Sequence, residues 1–317
     1  MTQMTSNSRA FIEAEQYSSF ILTNMHDGLL PATFYRNVSD FGKGETLHIK
    51  TIGDVRIQEA AAGKALEYTP IDSGEITLAI TDYIGDAWSV EDDLREDGSQ
   101  VEQLMAARAA ESTRAIQEYF EGRFLETAAR GILDNYVADP SSTEINKFQH
   151  FIASAETDNV LSLSHFINMK LAFDKAEIPM GGRVAILDPV CAATLDGLVN
   201  IQSDVTPFAS TILANGFQRD HQFLMNLYGW NIITSNRLYK GDDLGGSGIA
   251  DGVANVFMNV MDDNTKPVML AWRRMPKVEG DRNFELRRDD FQTTARYGFG
   301  VQRLDSLGVL VTSAVKH

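Results

Sequence analysis

The chain has 317 residues and a formal net charge of -16, long enough to bury one large core or two ordinary ones. So acidic a balance argues against a protein that wraps nucleic acid by neutralising phosphates. The single cysteine, Cys191, rules out an internal disulfide framework and fits a reducing cytoplasm.

Residues 1–9 show no basic start followed by an apolar run, and no apolar stretch approaches the ~20 residues of a membrane span, so a soluble product is expected. Residues 1–44 form a polar arm. Within it Phe11, Ile12, Phe20 and Ile21 recur near helical spacing before Leu29-Leu30-Pro31 interrupts them. Over residues 46–57 the pattern alternates, with Leu47 and Ile49 set against His48 and Lys50. A second alternating run takes in Ile76, Leu78 and Ile80 and continues through Tyr83, Ile84, Trp88 and Val90. Between the two, residues 58–75 carry Ala60-Ala61-Ala62-Gly63, Pro70 and Gly74 and few large apolar side chains. The pair predicts a projecting hairpin with a small-residue tip. An isolated two-stranded hairpin is barely stable in water, so something else should cover it.

The clearest helix follows. Ser99-Gln100-Val101-Glu102 fits a capping box, and Gly131 is the expected terminator. Val101, Leu104, Met105, Ile116, Tyr119, Phe120, Phe124, Leu125 and Ala128 recur between them at helical spacing, giving some thirty residues and a rod of roughly 45 Å. Residues 132–160 read as polar and irregular, with a turn at Asp139-Pro140-Ser141-Ser142. A second helix is expected over residues 164–176, ended by Ile178-Pro179, and a short buried strand at Arg183-Val184-Ala185-Ile186-Leu187. Asp188-Pro189 then starts a helix with proline in its first turn. A further strand is expected at Trp230-Asn231-Ile232-Ile233-Thr234, a glycine-rich loop over residues 241–252, and strands in the final third from Val268, Leu270 and Trp272 to Leu307-Gly308-Val309-Leu310-Val311. The fold class is α+β, with mixed α/β segments.

Charge is unevenly spread. Residues 266–303 hold nine Lys or Arg against five Asp or Glu, a local excess of +4 that leaves -20 for the rest. Residues 82–97 hold seven acids against Arg95 alone. Both stretches read as solvated surface, or more sharply as complementary contacts between neighbouring subunits.

Catalytic patterns are absent. The six histidines show neither close pairing nor cysteine partners, so zinc-site spacing is missing. The loop from Gly245 to Gly252 fits neither dinucleotide spacing nor a nucleophile elbow, because Ile249 stands where the elbow's second glycine belongs. Glu91-Asp92-Asp93 has carboxylates suited to a hard cation but not the spacing or turn glycine of a calcium loop, and no bound metal is expected. Cys191, among Val190, Ala192 and Ala193, is expected to be an inert core thiol. No cofactor is expected, nor an enzymatic role.

The order of these elements resembles the tailed-bacteriophage major capsid proteins of the Hong Kong 97-like fold, and particularly the podovirus coat proteins. The arm, the hairpin and the long helix match that family's N-terminal arm, extended loop and spine helix. Gly182-Arg183-Val184-Ala185-Ile186-Leu187-Asp188-Pro189 and Gly229-Trp230-Asn231-Ile232-Ile233-Thr234-Ser235-Asn236-Arg237-Leu238 resemble its axial domain. Phe284-Glu285-Leu286-Arg287-Arg288-Asp289-Asp290-Phe291 and Tyr297-Gly298-Phe299-Gly300 are similar to its return into the peripheral domain.

The resemblance implies an arm at 1–44, an extended loop at 45–95, a peripheral domain with the spine helix at 96–160, an axial domain at 161–265 and peripheral return strands at 266–317. It implies a subunit that self-assembles, as hexamers and pentamers, into the icosahedral shell around a double-stranded DNA genome. A separate scaffolding protein is implied because only some 44 residues precede the extended loop. A portal protein and possible decoration proteins are the other implied partners, with packaged DNA close by but not specifically bound, no membrane, and assembly in the host cytoplasm into the virion. Candidate subunit-interface residues are Lys64, Glu91, Asp92, Asp93, Arg273, Arg274, Arg287 and Arg288, with the arginines meeting the acids of an adjacent subunit. The arm or acids of the same subunit are the alternative partners for the arginines. Some relatives join an extended-loop lysine to a peripheral asparagine with a glutamate base. Lys64 lies in the matching region, but Asn283 and Glu285 match no such motif, so no cross-link is expected. The alternatives are a bacterial nanocompartment shell of encapsulin type, distinguished by a protein cargo instead of DNA, and a soluble α/β enzyme.

Overall fold

The structure is a computed structural model that describes residues 30–38, 46–52, 73–93, 101–201 and 223–316. The first strands in chain order are β1 (Arg36–Asn37), β2 (Thr46–Ile52), β3 (Ser73–Ala79) and β4 (Asp82–Glu91), followed by helix α1 (Val101–Ala138). Short strands β5 (Glu144–Ile145), β6 (Phe148–Gln149) and β7 (Phe151–Ala153) precede α2 (Leu163–Lys175), β8 (Arg183–Leu187) and α3 (Pro189–Ile201). Then come β9 (Phe223–Leu227), β10 (Trp230–Thr234), β11 (Lys240–Gly241), β12 (Gly252–Asn259), β13 (Val268–Asn283), β14 (Arg288–Val301) and β15 (Leu307–Ser313).

At 38 residues, α1 is a rod of about 57 Å. Its buried face runs through Ile116, Phe124, Leu125, Ala128, Ala129, Ile132 and Leu133. The expectation that Gly131 ends this helix is corrected, because the helix continues to Ala138. The glycine is there for space: a Cβ at Gly131 would lie 2.6 Å from Cγ2 of Val301. The stop is made eight residues later, where Asp139 accepts a hydrogen bond from the Ser141 amide at 2.9 Å and Pro140 cannot continue the helical ladder. The capping residues Ser99 and Gln100 lie outside the described residues.

Six strands of the larger sheet run in the order β7-β15-β12-β8-β10-β9, with β11 paired to β12. Every residue of β8, β12 and β15 is buried, as befits strands covered on both faces. Alternation divides their side chains between two cores. Val184, Ile186, Val256, Met258, Val309 and Val311 join the α1 side. Ala185, Leu187, Ile232, Phe257 and Leu310 join Phe166, Phe173 and Trp230 against α2 and α3. Asn255 secures this layer by accepting from the Asp188 amide at 3.0 Å and donating to the Leu310 carbonyl at 3.1 Å. Strand β12 forms from the apolar run directly after the glycine loop, a stretch for which no strand is expected from sequence.

The second sheet has the order β1-β13-β14-β4. An aromatic group seats α1 on it: Phe120 stacks on Trp272 at 5.1 Å and meets Tyr297 and Phe299 edge-on or tilted. Two expectations change here. The alternating run through Val90 is not one hairpin strand but two strands, since β3 pairs with β2 whereas β4 pairs with β14 along Asp82–Glu91. The closing run, placed with the return strands, lies instead in the larger sheet between β12 and β7. Burial decides both, because Ile80 at the break and all of β15 are withdrawn from solvent.

Candidate assembly surfaces

The β2–β3 hairpin pairs Leu47 with Leu78 and Ile49 with Ile76, opposite residues that share one face. His48–Thr77 and Lys50–Glu75 occupy the other face, where His48 Nδ1 meets the Glu75 carboxylate. The apolar face rests on Met269 and Ala271 of β13 through Leu78 and Ile80, forming a small third core. The root of the hairpin is therefore covered by its own subunit. Residues 53–72, with Lys64 among them, lie outside the described residues.

The long β13–β14 hairpin ends in Phe284-Glu285-Leu286-Arg287, where Phe284 is 84% and Leu286 57% exposed. Arg287 is exposed at this tip in a left-handed conformation (φ 50°). Strand β4 runs out beside it: Glu91 stands opposite Arg288, and the Asp92 amide donates to the Arg287 carbonyl at 3.1 Å. Glu91, Asp92, Asp93, Arg287 and Arg288 thus gather at one end of one sheet in one chain. The acids are largely engaged within the subunit. Arg282 donates to both carboxylate oxygens of Asp92, at 2.6 and 2.5 Å, and to Asp289 at 3.1 Å, and these bonds to Asp92 first and Asp289 second hold its guanidinium more firmly protonated than usual. Arg288 pairs with Asp290 at 2.8 Å and Arg274 with Glu279 at 2.8 Å. Asp82 takes Arg123 of α1 in a two-pronged contact at 3.1 and 3.3 Å, and Asp86 takes Arg108 at 2.8 Å. Hydrogen bonding to Ser112, and then to Arg108, keeps the Asp86 carboxyl below its ordinary value. Arg273 is exposed in mid-strand and Asp93 beyond β4. Of these pairs, Arg282–Asp92 joins the acidic stretch to the basic one, whereas Asp82 and Asp86 are answered by arginines of α1 and Arg274 and Arg288 by acids of their own hairpin.

A buried latch, which the sequence reading missed, joins three segments. Glu121, 5% exposed on the apolar face of α1, accepts from the Leu30 amide at 2.9 Å, the Ser235 hydroxyl at 3.1 Å and Arg237 at 3.4 Å. Arg237 also reaches Glu118 at 3.1 Å. The available signal was a glutamate at helical spacing among Phe120, Phe124 and Leu125. Beside the latch opens a cleft of about 290 Å³ lined by Leu30, Tyr35, Ile116, Phe120, Trp272 and Pro276.

Cys191, His150, His165 and the glycine loop are each engaged in packing, capping or a turn. Cys191 is buried, its Sγ 3.1 Å from the Thr312 hydroxyl, and burial pushes its thiol up to about 11. His150 lies in the core with Nδ1 2.9 Å from the Leu307 carbonyl. His165 accepts from the Ser162 amide at 3.2 Å and closes the N-terminus of α2. The glycine loop is a turn in which Gly245, Gly246 and Gly248 have positive φ and Asp243 accepts from the Gly248 amide at 2.6 Å. Among the described residues no three His, Cys, Asp or Glu side chains converge as a metal site, and no helix is long and apolar enough to cross a membrane.

A family model described as phage capsid protein matches residues 74–312. Among curated proteins no sequence match is found. Solved structures share the fold over nearly the full chain. A chain from Mycobacterium phage Che8 is 18% identical, with 94% of this chain and 97% of that one covered at a TM-score of 0.65. A chain of the capsid of cyanophage P-SCSP1u is 14% identical, with 95% and 93% covered at 0.68. A chain of the mature capsid of bacteriophage PhiM1 is 12% identical, with 94% and 91% covered at 0.66.

Proposed function

Because the chain belongs to the phage capsid protein family, we propose that its projecting hairpin and the β13–β14 tip are the surfaces through which copies of it close into an icosahedral shell around a double-stranded DNA genome. The protein is a major capsid protein, and its role is structural. The family match over residues 74–312 carries this reading, since it spans most of the hairpin's second strand, α1 and the strands of the two large sheets except β1.

In the proposed division of labour, residues 96–160 with 266–301 form a peripheral unit built on α1. Residues 161–265 form an axial unit, into which β15 returns. Lys64, Glu91, Asp92, Asp93, Arg273, Arg274, Arg287 and Arg288 are the proposed interface set. Asp92 acts in it through Arg282, so that a neighbour meets a pre-paired cluster rather than a bare acid. Partners are other copies of the chain, a separate scaffolding protein, a portal protein and decoration proteins, with assembly in the host cytoplasm. The test is expression of the chain with and without the scaffolding protein of its own phage, followed by negative-stain microscopy and nucleic-acid analysis of particles from infected cells. Closed particles containing DNA are expected. Particles filled with a protein cargo, or a compact monomer that never assembles with its scaffold, would overturn the reading.

A further inference from the structure

We propose that Gly298 and Gly300 are positioning residues for assembly: they form a notch in β14 that fixes the direction in which the β2–β3 hairpin leaves the subunit. The proposal rests on the shell reading above and names the residues that aim the arm.

Strand β4 stops pairing with β14 at Asp82, opposite Tyr297, and among the described residues β14 runs on to Val301 paired with β13 alone. The end of β3 crosses β14 over this stretch. A Cβ on Gly298 would run into the Ala79 carbonyl oxygen and come within 2.9 Å of the Ile80 Cα. On Gly300 it would lie 2.7 Å from Cδ1 of Leu78. Neither glycine is among those with positive φ, so backbone conformation does not call for glycine at either position. Glycine within a strand weakens it, and marks close approach of another backbone. Two glycines at i and i+2 share one face of the strand, which is the face the hairpin crosses.

The crossing is also clamped by side chains. Leu78 and Ile80, 1% and 4% exposed, are packed with Met269 and Ala271. With its backbone in a notch and its side chains in a core, the hairpin root has little freedom to tilt. Strands of seven residues reach about 23 Å from that root, so a small rotation at Gly298 becomes a larger displacement further out. A repeated contact between copies closes only if its rotation is right. The notch thus converts a local packing detail into lattice geometry.

The test uses the full-length chain. Spin labels on Lys50→Cys, at the outer end of β2, and Gln117→Cys, on α1, report the hairpin angle by their separation, since native Cys191 is 2% exposed and stays unlabelled. Gly298→Ala is expected to leave a folded subunit with a shifted label distance and a loss of closed particles in the unlabelled chain. Gly300→Ala should do the same, and Leu78→Val, which removes the obstructing atom, should restore both distance and particles in the double variant. An unchanged distance, or a shifted distance with particles of normal size and yield, overturns the proposal. Should Gly298→Ala fail to fold, the Gly300→Ala and Leu78→Val pair decides, because its obstruction is a side chain. Failure of wild-type chain to form particles with its scaffold would instead strike the shell reading, while the label distance still reports on the notch.

Discussion

His165 stands at the third position of α2 and accepts the amide of its own helix cap, Ser162, where glutamate or glutamine is the usual residue. It and His150 are held below the ordinary imidazole value, in both cases chiefly by burial. The folded chain therefore keeps them neutral while the unfolded chain takes up protons near pH 6.5. Below that pH the unfolded state binds more protons, so stability is fully present above about pH 6.5 and falls as pH drops through and below it. His165→Gln retains an acceptor for the cap without titrating. The expected outcome is a melting temperature near wild type at about pH 7.5 and a smaller fall on moving to about pH 5.5. An undiminished fall would assign the acid sensitivity to other groups.

Among the elements, α1 shows local preference yielding to packing. Glycine costs about 1 kcal/mol in a helix interior relative to alanine, yet Gly131 persists because β14 approaches so closely at Val301. Gly131→Ala is expected to destabilise in urea unfolding, since overpacking costs about 1–3 kcal/mol against that gain. Adding Val301→Ala should recover part of the loss; a stabilised single variant would show that β14 simply gives way. The hairpin carries the second element-scale prediction. Replacing residues 53–72 by a short Gly-Ser turn spares the β2–β3 pairing and the small core under it. The shortened chain should fold and remain soluble but form no closed shells, and normal particles from it would remove the hairpin from the assembly mechanism.

At the scale of the whole molecule, the proposed interface set divides the charge asymmetry between folding and assembly. Asp82, Asp86 and Asp92 already hold Arg123, Arg108 and Arg282, whereas Arg287 is exposed at the projecting tip. Small electrostatic terms recur at every equivalent boundary of a shell and penalise misplaced neighbours. Arg287→Glu is therefore expected to leave melting of the subunit unchanged while sharply reducing particle yield; undiminished yield would take Arg287 out of the interface. Asp92→Lys, in contrast, should disturb the subunit itself by opposing Arg282. Boiled particles should give one band near the monomer mass of 35.1 kDa, because Asn283 is committed to Asp290 and to the Leu286 amide and no lysine constellation accompanies it in sequence. A ladder resistant to reducing agent would show a covalent network.

Patterning alone determined the elements whose burial is local and periodic: the two-faced hairpin strands, α1 by its apolar repeat, α2, and the strand and proline-started helix from Arg183 through α3. Their periods of 2 and 3.6 are set by backbone geometry, which sequence displays directly. It also placed Cys191 in the core, from its small apolar neighbours. Only the tertiary structure decided where the run through Ile80 breaks, that β15 lies between β12 and β7, and that Glu121 ties Leu30 and Arg237 to α1. The same holds for Asp92 facing Arg282, 190 residues away. Each of these depends on which distant segment comes to lie alongside, and hydrophobic period records that a face is buried without recording against what. The glycines at 131, 298 and 300 are the sharpest case: in sequence Gly131 reads as a terminator and Gly298 and Gly300 as part of a strand-like return, and only the backbone or side chain pressed against each reveals that it answers to space.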